Sequence, residues 1–157
     1  MRTIMILVGL FAIACQPQGG LTAEEQANIA ATKTQVESYN AKAEGWLEEF
    51  RAGHADDFTY QGYGPWAPDG ITADRDQLME MVRGAALAFP DRNTTIHNIF
   101  ASGDSVIMET EWWGTASDQH PTLKPGERQG LREVLIQRFR DGLIIETREY
   151  GINVPAP

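Results

Sequence analysis

Two short turns made of glycine and aspartate divide the second half of the chain into β-rich segments. Gly103 lies in the first turn, and the dipeptide Asp141-Gly142 forms the second. Such residues adopt the positive φ angles that tight hairpins require, so each turn predicts an antiparallel pair of strands. The predicted strands are residues 94–100, 105–113, 131–139 and 143–150. Together they predict a four-stranded meander, with residues 115–128 as a longer, exposed hairpin loop.

Two amphipathic helices are predicted before this meander. Thr22 and Glu25 have the spacing of a capping box, so the first helix should begin there and end near Gly53. Its apolar stripe comprises Val36, Tyr39, Ala43, Trp46, Leu47 and Phe50. Thr72 is predicted to cap the second helix and Pro90 to end it. Helices gathered on one face of an antiparallel sheet make an α+β domain.

A short strand-like run, residues 58–61, lies between the two helices and leads into a loop rich in glycine and proline. This segment carries three aromatic side chains, Tyr60, Tyr63 and Trp66. Binding residues are often found on loops that a rigid scaffold holds in place. The three aromatics could therefore line the mouth of a pocket, or they could fold back as a lid on the core.

The composition bounds the number of domains and excludes one class of partner. A chain of 157 residues is long enough for one domain with a substantial core. Its formal charge of -9 and pI near 4.7 leave no basic face for a phosphate backbone. We therefore expect no nucleic-acid partner, and solubility is sufficient to explain the acidic balance.

The first fifteen residues have the pattern of an export signal. Arg2 precedes an apolar run that ends in small residues before Cys15, and the run is short for a transmembrane helix. Cys15 is the only cysteine, so it cannot form an intramolecular disulfide. The segment resembles a bacterial lipoprotein signal, in which cleavage before the cysteine is coupled to lipidation of its thiol. Ala12 stands where such signals usually have leucine, and the Ala-x-Ala pattern also suits ordinary signal peptidase.

The lipoprotein resemblance predicts the organisation of the whole chain. Residues 1–14 would be the signal peptide, residues 15–21 the lipidated cysteine with a flexible tether, and residues 22–157 a single domain. Gln16 rather than aspartate follows the cysteine. The resemblance therefore implies an outer-membrane anchor, with the domain facing the periplasm.

Several short motifs in the second half resemble one known family. Residues 89–91, 102–104, 114–115 and 138–142, together with Glu146, fall in the order and spacing of SnoaL-like polyketide cyclase domains. These domains belong to the nuclear transport factor 2-like superfamily, which has a cystatin-like fold. The resemblance implies a curved, cone-shaped antiparallel or mixed sheet packed on N-terminal helices. It also implies an apolar pocket at the open end and often a homodimer formed through the outer face of the sheet.

The family's catalytic positions are not filled in the usual way. Family cyclases and isomerases carry an acid that faces the pocket three residues before the arginine of the Arg-aromatic-x-x-Gly strand. That position is Leu135 in this chain. The general base of the ketosteroid isomerases matches Gly62. Because neither residue can transfer a proton, the family's chemistry is not expected here in its usual form.

The resemblance also predicts which side chains face the pocket. If Leu135 points inward, strand alternation places Glu133 and Gln137 on the same side. Other side chains predicted to point inward are Ile107, Glu109, Glu111, Trp113, Ile145, Thr147 and Glu149. Four glutamates around one cavity cannot all be ionised in a dry interior, so the arrangement indicates a site for proton transfer or for a cationic ligand.

Hydrophobic periodicity alone gives the opposite assignment for residues 105–113. The more apolar face of this segment consists of Val106, Met108, Thr110 and Trp112. If that face is buried, Glu109 and Glu111 are a solvated surface. If the glutamates are inside, the apolar face would be the outer surface that forms the homodimer.

The sequence contains no signature of a metal or cofactor site. His54, His97 and His120 are far apart, and no pair has the helical spacing of a zinc site. No glycine-rich phosphate loop follows a strand, and no serine lies in a nucleophile elbow. We therefore expect no metal and no cofactor.

Three functional hypotheses follow. The first is an exported domain that binds a small, partly apolar molecule, with Tyr60 and Trp113 as walls and Glu111 and Glu133 as polar contacts. The other predicted binding residues are Trp66, Glu109, Leu135, Gln137 and Glu149. The second hypothesis is an isomerase, cyclase or dehydratase in which Glu111 or Glu133 is the general acid or base. The third is an envelope protein whose sheet face binds another protein.

Overall fold

The structure, a computed structural model, describes residues 20–155 as three helices and a six-stranded sheet. The helices are α1 (Ala23–Ala41), α2 (Trp46–Ala52) and α3 (Arg75–Ala88). The strands are β1 (His54–Gly64), β2 (Ala67–Asp74), β3 (Asn93–Ser102), β4 (Ser105–Thr115), β5 (Arg128–Arg140) and β6 (Leu143–Val154). The predicted signal peptide and Cys15 lie outside the described residues. The predicted α+β architecture is confirmed.

The first helix begins where the capping box predicts. The Thr22 hydroxyl accepts a hydrogen bond of 3.1 Å from the Glu25 N–H, and the Glu25 carboxylate accepts one of 2.7 Å from the Thr22 N–H. The apolar stripe does not form one continuous helix, because the chain turns at Lys42 and Gly45, which both have positive φ angles. It is divided between α1 and α2, which ends at Ala52 next to the predicted stop.

The predicted cap of α3 was wrong by two residues. The Asp74 carboxylate, and not the Thr72 hydroxyl, accepts a hydrogen bond from the backbone N–H of Gln77. The Gln77 side chain in turn accepts a hydrogen bond from the Asp74 N–H, which completes the capping box. Thr72 lies in β2, opposite Gln61 of β1. Pairing with β1 holds this segment extended for two more residues, so the helix begins later.

The sheet has the order β2-β1-β6-β5-β4-β3. The antiparallel meander predicted for β3 to β6 is confirmed. The short strand predicted at residues 58–61 is instead an eleven-residue strand that forms a hairpin with β2 and pairs in parallel with β6. The glycines that suggested a loop lie at an irregularity of this hairpin, between Gly62 and Gly64.

The two hairpin turns have the predicted backbone conformation. Gly103 has a φ angle of 60°, and Asp141 and Gly142 have 54° and 79°. Two successive positive φ angles are typical of a tight turn that matches the twist of its strands. These turns fix the relative positions of β3 to β6.

Cross-strand pairing determines which side chains face the helices. Thr110 lies opposite Glu133, and Met108 lies opposite Leu135. Directly opposed residues share a face, so the inward face of β4 carries Val106, Met108, Thr110 and Trp112. The prediction that Ile107, Glu109, Glu111 and Trp113 point inward is therefore wrong, and the assignment from hydrophobic periodicity is confirmed.

The inward faces of β5 and β6 agree better with prediction. Glu133, Leu135 and Gln137 face the helices, as do Thr147 and Glu149. An irregularity of the β5–β6 ladder lies between Arg138 and Phe139. There the fully buried residue is Ile144, 1% exposed, rather than Ile145.

Within residues 20–155, none of the helices combines the length and the apolar character that a membrane span requires.

Candidate functional site

A cavity of about 620 Å³ lies between the concave face of the sheet and the helices. Apolar side chains from α1, α3 and β4 form much of its wall, including Val36, Met81, Val82 and Met108. Volumes of roughly 300 to 1,000 Å³ are typical of sites for small molecules. The cone between sheet and helices is therefore hollow, which favours the two pocket hypotheses over a purely protein-binding domain.

Two glutamates occupy one wall of this cavity. Glu133 comes from β5 and Glu149 from β6, and both side chains line the cavity. In the ladder Glu133 is opposite Gly151 and Leu135 is opposite Glu149, so the carboxyls are diagonal neighbours on one face. They are close enough for the charge of Glu149 to raise the pKa of Glu133. We call Glu133 and Glu149 the carboxyl pair.

Hydroxyl groups hold both members of the carboxyl pair. The Tyr60 hydroxyl donates to Glu149 Oε2 at 3.1 Å, and the Thr110 hydroxyl donates to Glu133 Oε2 at 3.3 Å. Tyr60 is 3% exposed and lies on β1, which the parallel pairing brings beside β6. The Tyr60 hydroxyl is therefore a fixed donor to one carboxylate oxygen.

Glycines make room for the aromatic side chains around the pair. A side chain at Gly62 would collide with the Tyr60 hydroxyl, and one at Gly151 would collide with the Trp66 ring. Gly62 is the position that matches the general base of the ketosteroid isomerases. Here its missing side chain leaves space for a tyrosine that contacts Glu149.

Burial raises the pKa of both carboxyls. The pKa of Glu133 lies well above its usual range, first because of burial and then because of the charge of Glu149 and their hydrogen bond. Burial also raises the pKa of Glu149, while hydrogen bonds from Tyr60 and Glu133 act in the opposite direction. Glu133 therefore holds its proton more strongly than an exposed glutamate does.

Six of the predicted site residues lie around this cavity. They are Tyr60, Trp66, Glu133, Leu135, Gln137 and Glu149. Gln137 is buried and accepts a hydrogen bond from the Thr32 hydroxyl at 2.8 Å, so it also connects the sheet to α1. The aliphatic Leu135 is part of the cavity wall, as predicted from the family comparison.

Three other predicted site residues lie on the opposite face of the sheet. Glu111 forms an ion pair with Arg132 at 2.9 Å, and Glu109 accepts a hydrogen bond from the Asn98 amide. Trp113 packs against Arg128, with 4.8 Å between the guanidinium carbon and the ring centroid. Their predicted roles in the pocket are wrong, because β4 presents its alternate residues to the cavity.

Sequence reasoning missed the contribution of the connection between β4 and β5. Residues 120–123 of this segment line the cavity, although the segment was predicted to be an exposed loop. The His120 ring packs edge-on against Phe89, with centroids 4.8 Å apart. His120 Nδ1 accepts the backbone N–H groups of Thr122 and Leu123 at 3.2 and 2.8 Å, which fixes the ring. A long polar segment with two prolines carries no local pattern that would reveal such folding back.

His54 is a second titratable group of the cavity wall that was not predicted. It is buried, and burial lowers its pKa to about 4. The hydrogen bond from its ring to the Phe50 carbonyl acts in the opposite direction and raises the pKa, but by less. The ring is therefore neutral at pH 7. Within residues 20–155, no cluster of three or more His, Cys, Asp or Glu side chains could hold a metal ion.

Solved structures with the same fold include proteins of several described activities. A proposed SnoaL-like polyketide cyclase from Jannaschia sp. CCS1 superposes with a TM-score of 0.72 and 16% identity, covering 85% of this chain and 90% of its own. IdmH, a proposed polyketide cyclase from Streptomyces antibioticus, has a TM-score of 0.67, 24% identity and coverages of 79% and 91%. An epoxide hydrolase of the LEH-like type from M. tuberculosis has a TM-score of 0.64, 17% identity and coverages of 82% and 84%.

These identities establish a shared fold and no shared activity. No curated protein sequence matches the chain. Residues 36–147, most of the domain described above, match the family of SnoaL-like domains, and the chain belongs to that family.

Proposed function

We propose that this domain binds a small, largely apolar molecule in its cavity and transfers a proton to or from it through the carboxyl pair. The observation that carries the proposal is two neighbouring buried carboxyls in the wall of a cavity of about 620 Å³. Pairs of titratable groups whose environments push their pKa values apart are typical of acid–base sites. The apolar wall supplies binding, and the pair supplies reactivity.

The two carboxyls differ in role. Glu149 is the general base, because its carboxylate accepts a hydrogen bond from the Tyr60 hydroxyl and faces the cavity. Glu133 holds a proton beside it and can return one to the substrate as the general acid. Isomerisation, cyclisation and dehydration all proceed through such proton transfers. The pair replaces the acid that relatives carry at Leu135.

The elimination reaction of 5-nitrobenzisoxazole, which requires a base and no cofactor, tests this proposal. In 5-nitrobenzisoxazole, a base removes the proton on C3, the N–O bond breaks, and 2-cyano-4-nitrophenolate is released and absorbs visible light. The wild-type protein should accelerate this reaction, and Glu149→Gln should lower kcat/KM by about 10² to 10⁴. Glu111→Gln, on the outer face, should change the rate less than about twofold.

Binding without catalysis is the competing outcome. If Glu149→Gln keeps both the wild-type rate and the wild-type affinity for apolar ligands, the carboxyl pair has no catalytic role. If neither protein binds such ligands, judged by the fluorescence of Trp66 and Trp112 in the cavity wall, the cavity is not a ligand site.

We further propose that the domain is exported and lipid-anchored at the outer membrane, facing the periplasm. The pattern of residues 1–15 supports this, together with Gln16 after the cysteine. Residues 16–21 would then link the lipidated cysteine to the domain, whose first helix begins at Ala23. Cys15→Ser should abolish labelling by radioactive palmitate, and persistent labelling would contradict the anchor.

A homodimer through the outer sheet face is also proposed. This face exposes Ile107, Phe100 and Ile152, which are 40%, 58% and 65% exposed. Exposed apolar side chains of this kind often mark interfaces. Ile107→Lys should convert a dimer to a monomer in analytical ultracentrifugation, and a monomeric wild type would remove the proposal. A substitution of Met108 would not test the interface, because this side chain faces the cavity.

A further inference from the structure

The cavity wall carries two carboxyl groups and no lysine or arginine to compensate them. Among the described residues that line it, two are carboxylic acids and none is lysine or arginine. His54 is neutral at pH 7, as its lowered pKa shows. His120 Nδ1 accepts two backbone N–H groups, so that nitrogen carries no proton. The carboxyl pair therefore has two hydroxyl donors around it and, among the described residues that line the cavity, no cation.

Arg92, a buried arginine, is directed away from the carboxyl pair. The Arg92 guanidinium lies 4.3 Å from the centroid of the Tyr39 ring and 4.8 Å from that of Trp46. One of its nitrogens donates to the Tyr39 carbonyl at 3.3 Å. Arg92 is absent from the cavity wall, so it does not neutralise the carboxyl pair by contact.

A second, independent feature points to a ligand atom at the same place. Thr147 lines the cavity and is 5% exposed, and its Oγ1 has no hydrogen-bond partner within the described part of the chain. It lies two residues before Glu149 on the same face of β6 and next to Tyr60 of β1. A buried hydroxyl without a partner is uncommon and costs stability, so a polar ligand group is expected to contact it.

The remaining wall suits a cation with an apolar body. Tyr60 and Trp66 lie beside the pair, and aromatic faces attract cations. Leu131, Leu135 and Met108 offer apolar surface further along β4 and β5. A cationic group at the pair would be compensated in charge and hydrogen-bonded, while the rest of the molecule removed apolar surface from water.

We propose that the ligand of the cavity is an amine cation with an apolar body, whose ammonium group contacts Glu149 and Thr147. This inference rests on the proposed function, because it names the class of molecule that the cavity takes. The positive charge lies at the carboxyl pair, and the apolar body extends along Leu135 and Met108.

Two probes of matched shape test the inference. Cyclohexylamine is protonated at pH 7, and cyclohexanol is neutral but can still form hydrogen bonds. Binding is followed by tryptophan fluorescence and by chemical-shift changes in NMR spectra. The wild-type protein should bind the amine at least tenfold more tightly than the alcohol.

Three variants locate the preference. Glu149→Gln, which keeps the shape of the side chain, should reduce the preference for the amine to less than twofold and leave the alcohol unchanged. Thr147→Val should weaken amine binding about threefold and leave alcohol binding unchanged. Glu111→Gln, on the outer face, should alter neither affinity. Circular dichroism spectra should show that each variant is folded.

The possible outcomes separate the two proposals. If the alcohol binds as tightly as the amine, or if Glu149→Gln keeps the amine preference, the amine inference is overturned and the apolar cavity remains a ligand site. If neither probe nor any other small apolar molecule binds, the proposed function fails together with it. If Glu149→Gln does not fold, Thr147→Val provides the test. Weaker amine binding in this variant supports the inference, and unchanged amine binding overturns it.

Discussion

Two pairs of glutamates on the central strands of the sheet lie in opposite environments. Glu109 and Glu111 follow alternate positions of β4 and face water, where Glu111 meets Arg132 at 2.9 Å. Glu133 and Glu149 lie on β5 and β6 and face the cavity, where the Tyr60 and Thr110 hydroxyls donate hydrogen bonds to them. Glu111 has a counter-ion, and within residues 20–155 no counter-ion is in contact with the inner pair.

This difference shows that the chemistry of a glutamate depends on which face of the sheet its strand position occupies. Successive positions of a strand face opposite sides, so a shift of one residue separates an exposed ion-pair partner from a buried acid with a raised pKa. Of the two pairs, the inner one is where burial raises the pKa values. Substitutions at matched positions on the two faces test this difference.

Adjacent tryptophans should show the largest contrast. Trp112 is buried, packs edge-on against Phe89 and donates to the Tyr39 hydroxyl at 3.2 Å, so Trp112→Ala should lower the free energy of unfolding by about 3 to 5 kcal/mol. Trp113 packs on Arg128 at the outer surface, and Trp113→Ala should cost about 1 kcal/mol. Urea denaturation measures both, and equal losses would contradict the assigned faces.

A new acid on each face provides the second contrast. Leu135→Asp adds a third carboxyl directly opposite Glu149, and it should lower the free energy of unfolding at pH 7 by about 2 to 3 kcal/mol. Val134→Asp, at the neighbouring outward position, should cost less than about 1 kcal/mol. Thermal unfolding of the two variants would refute the comparison if their order were reversed.

The third prediction concerns pH. The raised pKa of Glu133 means that its stabilising effect is complete below its unfolded value near 4.5 and is lost as the pH rises through its folded value. Glu133→Gln does not titrate. Between pH 5 and pH 8 the variant should therefore gain stability relative to the wild type, by about 1.4 kcal/mol for each unit of pKa difference that the range covers.

Denaturation with urea at several pH values measures this difference, because the titrating groups outside the carboxyl pair are common to both proteins. Glu109→Gln, whose side chain lies in water, should follow the wild-type curve. A constant difference between wild type and Glu133→Gln would show that Glu133 is not a buried acid.

The smallest effect is expected for the outer ion pair. Glu111→Ala removes the contact with Arg132, whose side chain is 59% exposed, and should lower the free energy of unfolding by less than about 1 kcal/mol. The difference should shrink in 1 M NaCl because salt screens exposed charges. A loss of several kcal/mol, or one independent of salt, would mean that Glu111 is buried.

Local signals in the sequence predicted the elements whose stability is local. The capping box of Thr22 and Glu25 and the turns at Gly103 and Asp141-Gly142 involve residues within a few positions of each other, and all three are as expected. The hairpin of β1 and β2 was missed, because glycines and prolines there read as a loop. Its extended form depends on β6, which is about ninety residues away in the chain.

The site was predicted in part for a related reason. Alternation along β5 correctly placed Glu133, Leu135 and Gln137 on one face. Alternation along β5 could not be continued into β4, because the connection at residues 116–127 separates the two strands. Matching β4 to relatives then assigned the wrong residues to its inward face. The apolar alternation of β4 was the better guide, because burying Val106 and Met108 outweighs any resemblance.

The parallel pairing of β1 with β6 also bears on when the chain can fold. The last strand in sequence lies third in the sheet, between β1 and β5, so it joins the early hairpin to the late meander. During synthesis the hairpin must wait until β6 has emerged before it has a neighbour to complete its edge. Such long-range closure favours slow assembly and leaves one edge of the hairpin unpaired until β6 is available.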